Sequence, residues 1–121
     1  MCFRIQYNVK ESLTADKDIV VYKILYKKEN KYISLYQYFK YKPNKIYRLK
    51  KKLKLIDSIN IEEGFHSYNE YEVKRKYILP GFRKEIVRVE CIIPKGSQYY
   101  FNGYLGEYVS NSLSLIGEYL D

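Results

Sequence analysis

Twelve of the chain's 22 lysine and arginine residues lie between residues 23 and 54, against a single acid, Glu29, and six tyrosines from Tyr26 to Tyr47 are interleaved with them. Cations along an extended segment neutralise successive phosphates, and tyrosine rings offer faces on which bases stack, worth about 1–3 kcal/mol per base. Lys23, Lys40, Lys42, Arg48, Lys50 and Lys52 are the candidate contacts. Outside this stripe ten basic residues stand against thirteen acids, so the formal charge of +8 is a local feature. A local positive field draws a polyanion, and DNA, RNA and a small anionic nucleotide satisfy it equally. The plainer reading is a solvated strand face whose lysines prevent edge-to-edge pairing.

A second group surrounds the single histidine. In Glu63-Gly64-Phe65-His66-Ser67-Tyr68, His66 and Ser67 are candidates for a general base or a phosphate contact. Lys95 and Ser97 flank Gly96 in a turn whose backbone amides could cradle an anion. These four residues would line a nucleotide pocket. No nucleophile motif accompanies them: Ser67 and Cys91 lack the neighbours of a triad, and Cys91 falls on the apolar face of a strand, where a buried structural thiol is expected. Two cysteines without a CxxC pair, and one histidine, give no zinc-site spacing, and nothing in the chain calls for a cofactor.

These groups need elements to hold them. Ile19 to Tyr26 is β-branched and aromatic, as expected of a buried strand, and the polar tetrad Lys27-Lys28-Glu29-Asn30 joins it to Tyr32–Tyr36. After the Pro43-Asn44 turn, residues 46–56 fit both periods. Tyr47, Leu49, Leu53 and Leu55 alternate with cations, while Ile46, Leu49, Leu53 and Ile56 have helical spacing; the bounding turn formers favour a strand. Asn69 with Glu72 three residues on has the form of a helix N-cap, with Lys74-Arg75-Lys76 near the C-terminal end and Pro80-Gly81 as the stop. Val87, Val89, Cys91 and Ile93 mark the clearest strand, Glu85–Ile93. Gln98–Phe101, a hairpin-type Asn102-Gly103 and Leu113–Ile116 complete the chain.

The whole predicts a single α+β domain over residues 1–121: a mostly antiparallel twisted sheet of six or seven strands, curled as a half-barrel or sandwich, with one short helix. No apolar run approaches the roughly 20 residues of a membrane span, and the N-terminus lacks the features of a secretory signal, so a cytoplasmic protein is expected. Abundant Tyr, Lys, Ile and Asn, with no Trp and a single Ala, suit an AT-rich genome.

The order Val-Tyr-Lys on a strand, Gly-Phe-His-Ser, Ile-Pro-Lys-Gly-Ser and Gly-Glu-Tyr-Val-Ser resembles a group of small accessory proteins of gut bacteria and their phages, from about Asp18 to Ile116. That resemblance implies a compact accessory protein without catalysis, and a phage protein that sequesters a nucleotide defence signal is one such case. More distantly the order is similar to mono-ADP-ribosyltransferases, which implies an NAD site with Tyr22 or Lys23, Ser67 and Glu107 in its three positions. The chain departs from that pattern: its first strand has no Arg or His, Ser-Thr-Ser is missing, and no second acid stands two residues from Glu107. The expected function is therefore non-enzymatic binding of a nucleotide-like ligand or nucleic acid. The alternatives are a homo-oligomeric or virion assembly protein using tyrosine-rich contacts, and a transferase-like NAD-binding protein.

Overall fold

The computed structural model describes residues 3–4, 12–29, 31–34, 40–49, 53, 60–61, 64–75, 85–103 and 105–119. Among the described residues twelve strands and one helix follow in chain order: β1 (Phe3–Arg4), β2 (Leu13–Thr14), β3 (Ile19–Lys28), β4 (Lys31–Ser34), β5 (Lys40–Tyr41), β6 (Ile46–Arg48), β7 (Asn60–Ile61), β8 (Phe65–Tyr68), α1 (Glu70–Arg75), β9 (Glu85–Ile93), β10 (Gln98–Asn102), β11 (Glu107–Ser110) and β12 (Ser112–Glu118). The α+β class with a mostly antiparallel sheet is as expected, but the strand count is not. Ten strands form one open sheet in the order β2-β10-β11-β8-β3-β9-β12-β6, with β4 on β3 and β5 on β4, while β1 and β7 pair separately.

β3 organises this sheet. One edge runs antiparallel to β9 from Ile19↔Ile93 to Lys27↔Glu85. The other edge is divided, with Tyr22 against Tyr68 of β8 and Leu25 to Lys28 against β4, so the sheet forks at Lys23 and Ile24. Alternation then assigns the faces. Val21 and Leu25 of β3 join Tyr32, Tyr41, Phe65, Val89, Cys91, Ile93, Leu113 and Leu115 in one core cluster, with Ile19 packed against it. A single cluster drawn from six strands requires the sheet to curl around it. At the far side Asn111 alone separates β11 from β12, and its N–H and side-chain oxygen bond Gln98, so the chain turns a corner there.

The expected helix forms, and its cap is only partly the expected one. Asn69 Oδ1 accepts the Glu72 N–H at 2.8 Å. The reciprocal half is replaced: Asn69 N–H donates to the Gly106 carbonyl at 2.9 Å, and Glu72 pairs with Arg75 at 3.0 Å. Cap and loop are thus tied together. Asn69→Ala is expected to lower unfolding free energy by about 1 kcal/mol, read as a shifted urea midpoint at unchanged slope. The helix lies on the face of β3 away from the core: Val73 is buried, Tyr22 Oη and Tyr119 Oη both donate to Glu70, and Arg88 Nε donates to the Val73 carbonyl. Pro80-Gly81 falls outside the described residues.

Two other expectations are corrected. The strand foreseen over residues 46–56 ends at Arg48, and Leu49 and Leu53 are not in strands. Leu49 N–H instead donates to the Asn111 carbonyl, while Leu53 exchanges two backbone bonds with the Gln98 side chain, so both are held by the β11–β12 corner. Asn102-Gly103 does not make a two-residue hairpin either. Asn102 Oδ1 accepts the Leu105 N–H, and the loop runs on to Gly106.

Candidate functional site

The basic stripe is divided by the strands that carry it. Lys23 shares a face with Val21 and Leu25 and is directed into the core, not into an outer cationic face. Its ammonium donates to the His66 carbonyl and lies 5.7 Å from the centre of the Tyr41 ring. The position explains the residue: at the fork β8 has left β3, and the lysine supplies to a β8 carbonyl the donor that a neighbouring strand would otherwise provide. Burial holds its pKa down at about 8. Lys27 is engaged differently, by a 2.7 Å pair with Glu118, whose carboxyl is held below the ordinary range by that hydrogen bond.

Of the described candidate contacts, those open to a ligand lie on β5, the following residue and β6. Tyr41 is buried and Tyr47 leans on the core, so the alternating neighbours Lys40, Lys42 and Arg48 stand outward and exposed. Pro43 bridges to Leu115, and the Asn44 N–H donates to the Leu115 carbonyl, which fixes the turn against β12. Asn44 has φ 63°, a conformation asparagine tolerates. Lys42 N–H donates to Tyr47 Oη, and Lys45 Nζ stands 5.3 Å over the Tyr47 ring. Among the described residues none of Lys40, Lys42, Lys45 and Arg48 is in an ion pair. Lys50 and Lys52 lie outside the described residues.

Among the described residues, stacking faces are scarce on this stripe. Tyr32 and Tyr41 are buried and Tyr26 and Tyr47 half-buried, since a chain with no tryptophan uses tyrosine as core aromatic. Tyr41 packs edge-on to Tyr47 at 5.2 Å and against Phe65 at 6.3 Å, and burial raises its pKa.

The pocket foreseen around His66, Ser67, Lys95 and Ser97 is not assembled. His66 pairs with Val109, which pairs with Tyr100, and the Gly96 turn lies four residues back along the chain, about 13 Å in extended form. The turn's amides are already engaged: Lys95 N–H with Asp18 Oδ1, Gly96 N–H with the Ala15 carbonyl, and Ser97 N–H with the Pro94 carbonyl. Lys95 is exposed and Ser97 buried. Burial, aided by the charge of Lys23, pushes the His66 pKa down to about 4, and Ser67 Oγ is buried without a hydrogen-bond partner.

The residues similar to the transferase pattern are likewise split between faces. Ser67 pairs with Tyr108, whereas Glu107 pairs with Tyr68 in the next row, which places Ser67 on the core side and Glu107 on the helix side. Cys91 is fully buried, and its thiol is pushed up to about 12 by burial. No group of three metal-ligating side chains occurs among the described residues, and no described helix is long and apolar enough to cross a membrane.

No protein-family model matches the chain, and no curated protein or solved structure is significantly similar to it.

Proposed function

We propose that this chain binds the phosphate backbone of a nucleic acid, without catalysis, through Lys40, Lys42, Lys45 and Arg48. The observation that supports it is a group of four exposed cations without ion pairs among the described residues, on β5, β6 and the residues between them. Lys40 and Lys42, two residues apart on an extended chain, are spaced by about 6.6 Å. That is about the rise of two nucleotides on a duplex strand, at 3.4 Å each. A small nucleotide held at the Gly96 turn has less support, because the three amides that would receive its phosphate serve the fold. Recognition would be electrostatic and indifferent to sequence, since phosphate contacts carry no sequence information.

The test is fluorescence anisotropy with labelled 20-nucleotide single- and double-stranded DNA across a salt series. Four phosphate contacts predict a slope of log K against log salt of about −3 to −4, and about 100-fold loss of affinity between 50 and 200 mM salt. Replacing all four cations by glutamine is expected to flatten the slope to near zero. Salt-independent binding, an unchanged quadruple variant, or equally tight binding of a mononucleotide would each overturn the reading.

A further inference from the structure

Two polar side chains meet inside the sheet at the fork of β3. Lys23 is 9% exposed and Ser67 1%, and both face the core. Antiparallel register carried one step past Tyr22↔Tyr68 sets Ser67 opposite Lys23, and the lysine ammonium donates to the carbonyl of the peptide bond that joins His66 to Ser67. Side chain and hydroxyl are thus neighbours. An ammonium has three N–H donors, and that carbonyl is the one oxygen among the described residues that accepts from it; the Tyr41 ring lies 5.7 Å away. Ser67 Oγ has no hydrogen-bond partner among the described residues.

The charge there is not answered by a described carboxylate. Among the described residues Lys23 is in no ion pair. Glu118 stands in the same row, since both residues pair with Val89, but it is two strands away, about 9.6 Å, and Lys27 and Tyr32 occupy its carboxylate. Glu90 lies on the opposite face with Tyr22. The Cys91 thiol, diagonal to the lysine, stays neutral because burial pushes it up to about 12, while Lys23, at about 8, is mostly protonated at pH 7. A buried cation among neutral groups draws a counter-ion of unit charge. Its size follows from the packing. Val21, Leu25, Val89 and Cys91 around the lysine are at most 1% exposed, and interiors are close-packed, so a monatomic guest fits where a phosphate does not.

We propose that the fork of β3 is a binding site for a single halide ion, held between the Lys23 ammonium and the Ser67 hydroxyl. The hydroxyl rotates to donate to the ion, and the ammonium gives it one of the N–H groups that the His66 carbonyl leaves over. The site shares no residue with Lys40, Lys42, Lys45 and Arg48, so it is independent of nucleic-acid binding. The probe is sodium chloride, titrated into the full chain at pH 7 and followed by chloride NMR, in which an ion exchanging with a protein site broadens the resonance. Bromide and sulfate are the competitors.

Saturable broadening is expected, reversed by bromide and not by sulfate. It disappears in Lys23→Met, and in Ser67→Ala the affinity for chloride falls about tenfold, the loss of one hydrogen bond to a charged group. Should Lys23→Met fail to fold by circular dichroism, Ser67→Ala decides alone, because removing a hydroxyl without a partner strands no other polar group. The variant with Lys40, Lys42, Lys45 and Arg48 replaced by glutamine is expected to keep the full effect. Absence of saturable broadening would overturn the proposal and leave the fork to water. Equal displacement by sulfate, full broadening in Ser67→Ala, or its loss in the glutamine variant would overturn it in favour of the surface cations.

Discussion

Lys23→Glu is expected to unfold the domain, while Lys40→Glu changes stability by no more than about 0.5 kcal/mol. Both lysines belong to the same basic stripe, but Lys40 is exposed and Lys23 faces the core with its ammonium against a backbone carbonyl. A glutamate at position 23 would bury a carboxylate against that carbonyl oxygen and leave the carbonyl without its donor. A buried uncompensated charge of this kind costs about 3–5 kcal/mol, a large share of the 5–15 kcal/mol that stabilises an ordinary domain. Circular dichroism and urea titration of the two variants test the contrast, and a folded Lys23→Glu protein would show that the lysine is not interior.

The pH dependence supports the same assignment. An unfolded lysine keeps its ordinary pKa of 10.5, whereas Lys23 in the fold titrates at about 8. Between these values the unfolded state binds more protons, so stability rises with pH. Cys91 acts in the opposite sense: its thiol is held at about 12 against 9.0, so above pH 9 the unfolded chain loses its proton first and stability falls. Tyr22, held at about 12 by burial and by Glu70, adds to that fall above pH 10. The expected profile climbs by roughly 1 kcal/mol from pH 7 to 9 and then declines. In Lys23→Met, which keeps the apolar stem, the climb disappears. His66 gives a separate loss on the acid side, where protonation of the unfolded chain below pH 6.5 is not matched in the fold until about pH 4.

The second large effect is expected at Gly106. This residue has φ +64°, and a Cβ there would run into the Glu72 side chain and approach the Asn69 amide at 2.9 Å. Valine would meet a backbone conformation that β-branched residues avoid, at about 1–2 kcal/mol, and would push away the residue that caps α1, at about 1 kcal/mol more. With the lost Asn69 N–H to Gly106 bond, Gly106→Val is expected to destabilise by about 3–5 kcal/mol. Hydrogen exchange locates the damage: the amides of α1 and of the loop before β11 should lose protection first, with β3 and β9 following only at global unfolding. A variant as stable as the parent would show that the loop does not need this conformation.

What could be read in the sequence follows from where the residues find their partners. β9 was legible because Val87, Val89, Cys91 and Ile93 alternate around Arg88 and Glu90, and the helix start because Asn69 caps an amide only three residues away. β3 was legible as a strand, but not for its sidedness. Both of its faces are apolar, one against the core and one beneath α1, so nothing local says that the face shared by Val21, Lys23 and Leu25 is the inner one. β5, β8 and β11 are two to four residues long, and Phe-His-Ser-Tyr carries no apolar period. The Gly96 turn looked open because Asp18 and Ala15, which occupy its amides, are some 80 residues earlier in the chain. The exposed cations were foreseen by composition, and their arrangement was not, because strand parity decides which of them meet water.

The pairing of β3 with β9 also sets an order of events during synthesis. β3 emerges from the ribosome well before β9, at residues 19–28 against 85–93, and over that interval the edge that β9 will occupy from Ile19 to Lys27 stands open. Local hairpin formation with β4 covers the opposite edge only. The nascent chain therefore carries an exposed, β-branched template through more than fifty residues of elongation, the condition under which strands join the wrong neighbour. Lys23, Lys27 and Lys28 on that strand keep it charged for the whole of that interval, a protection of the unfinished chain that the finished fold no longer needs.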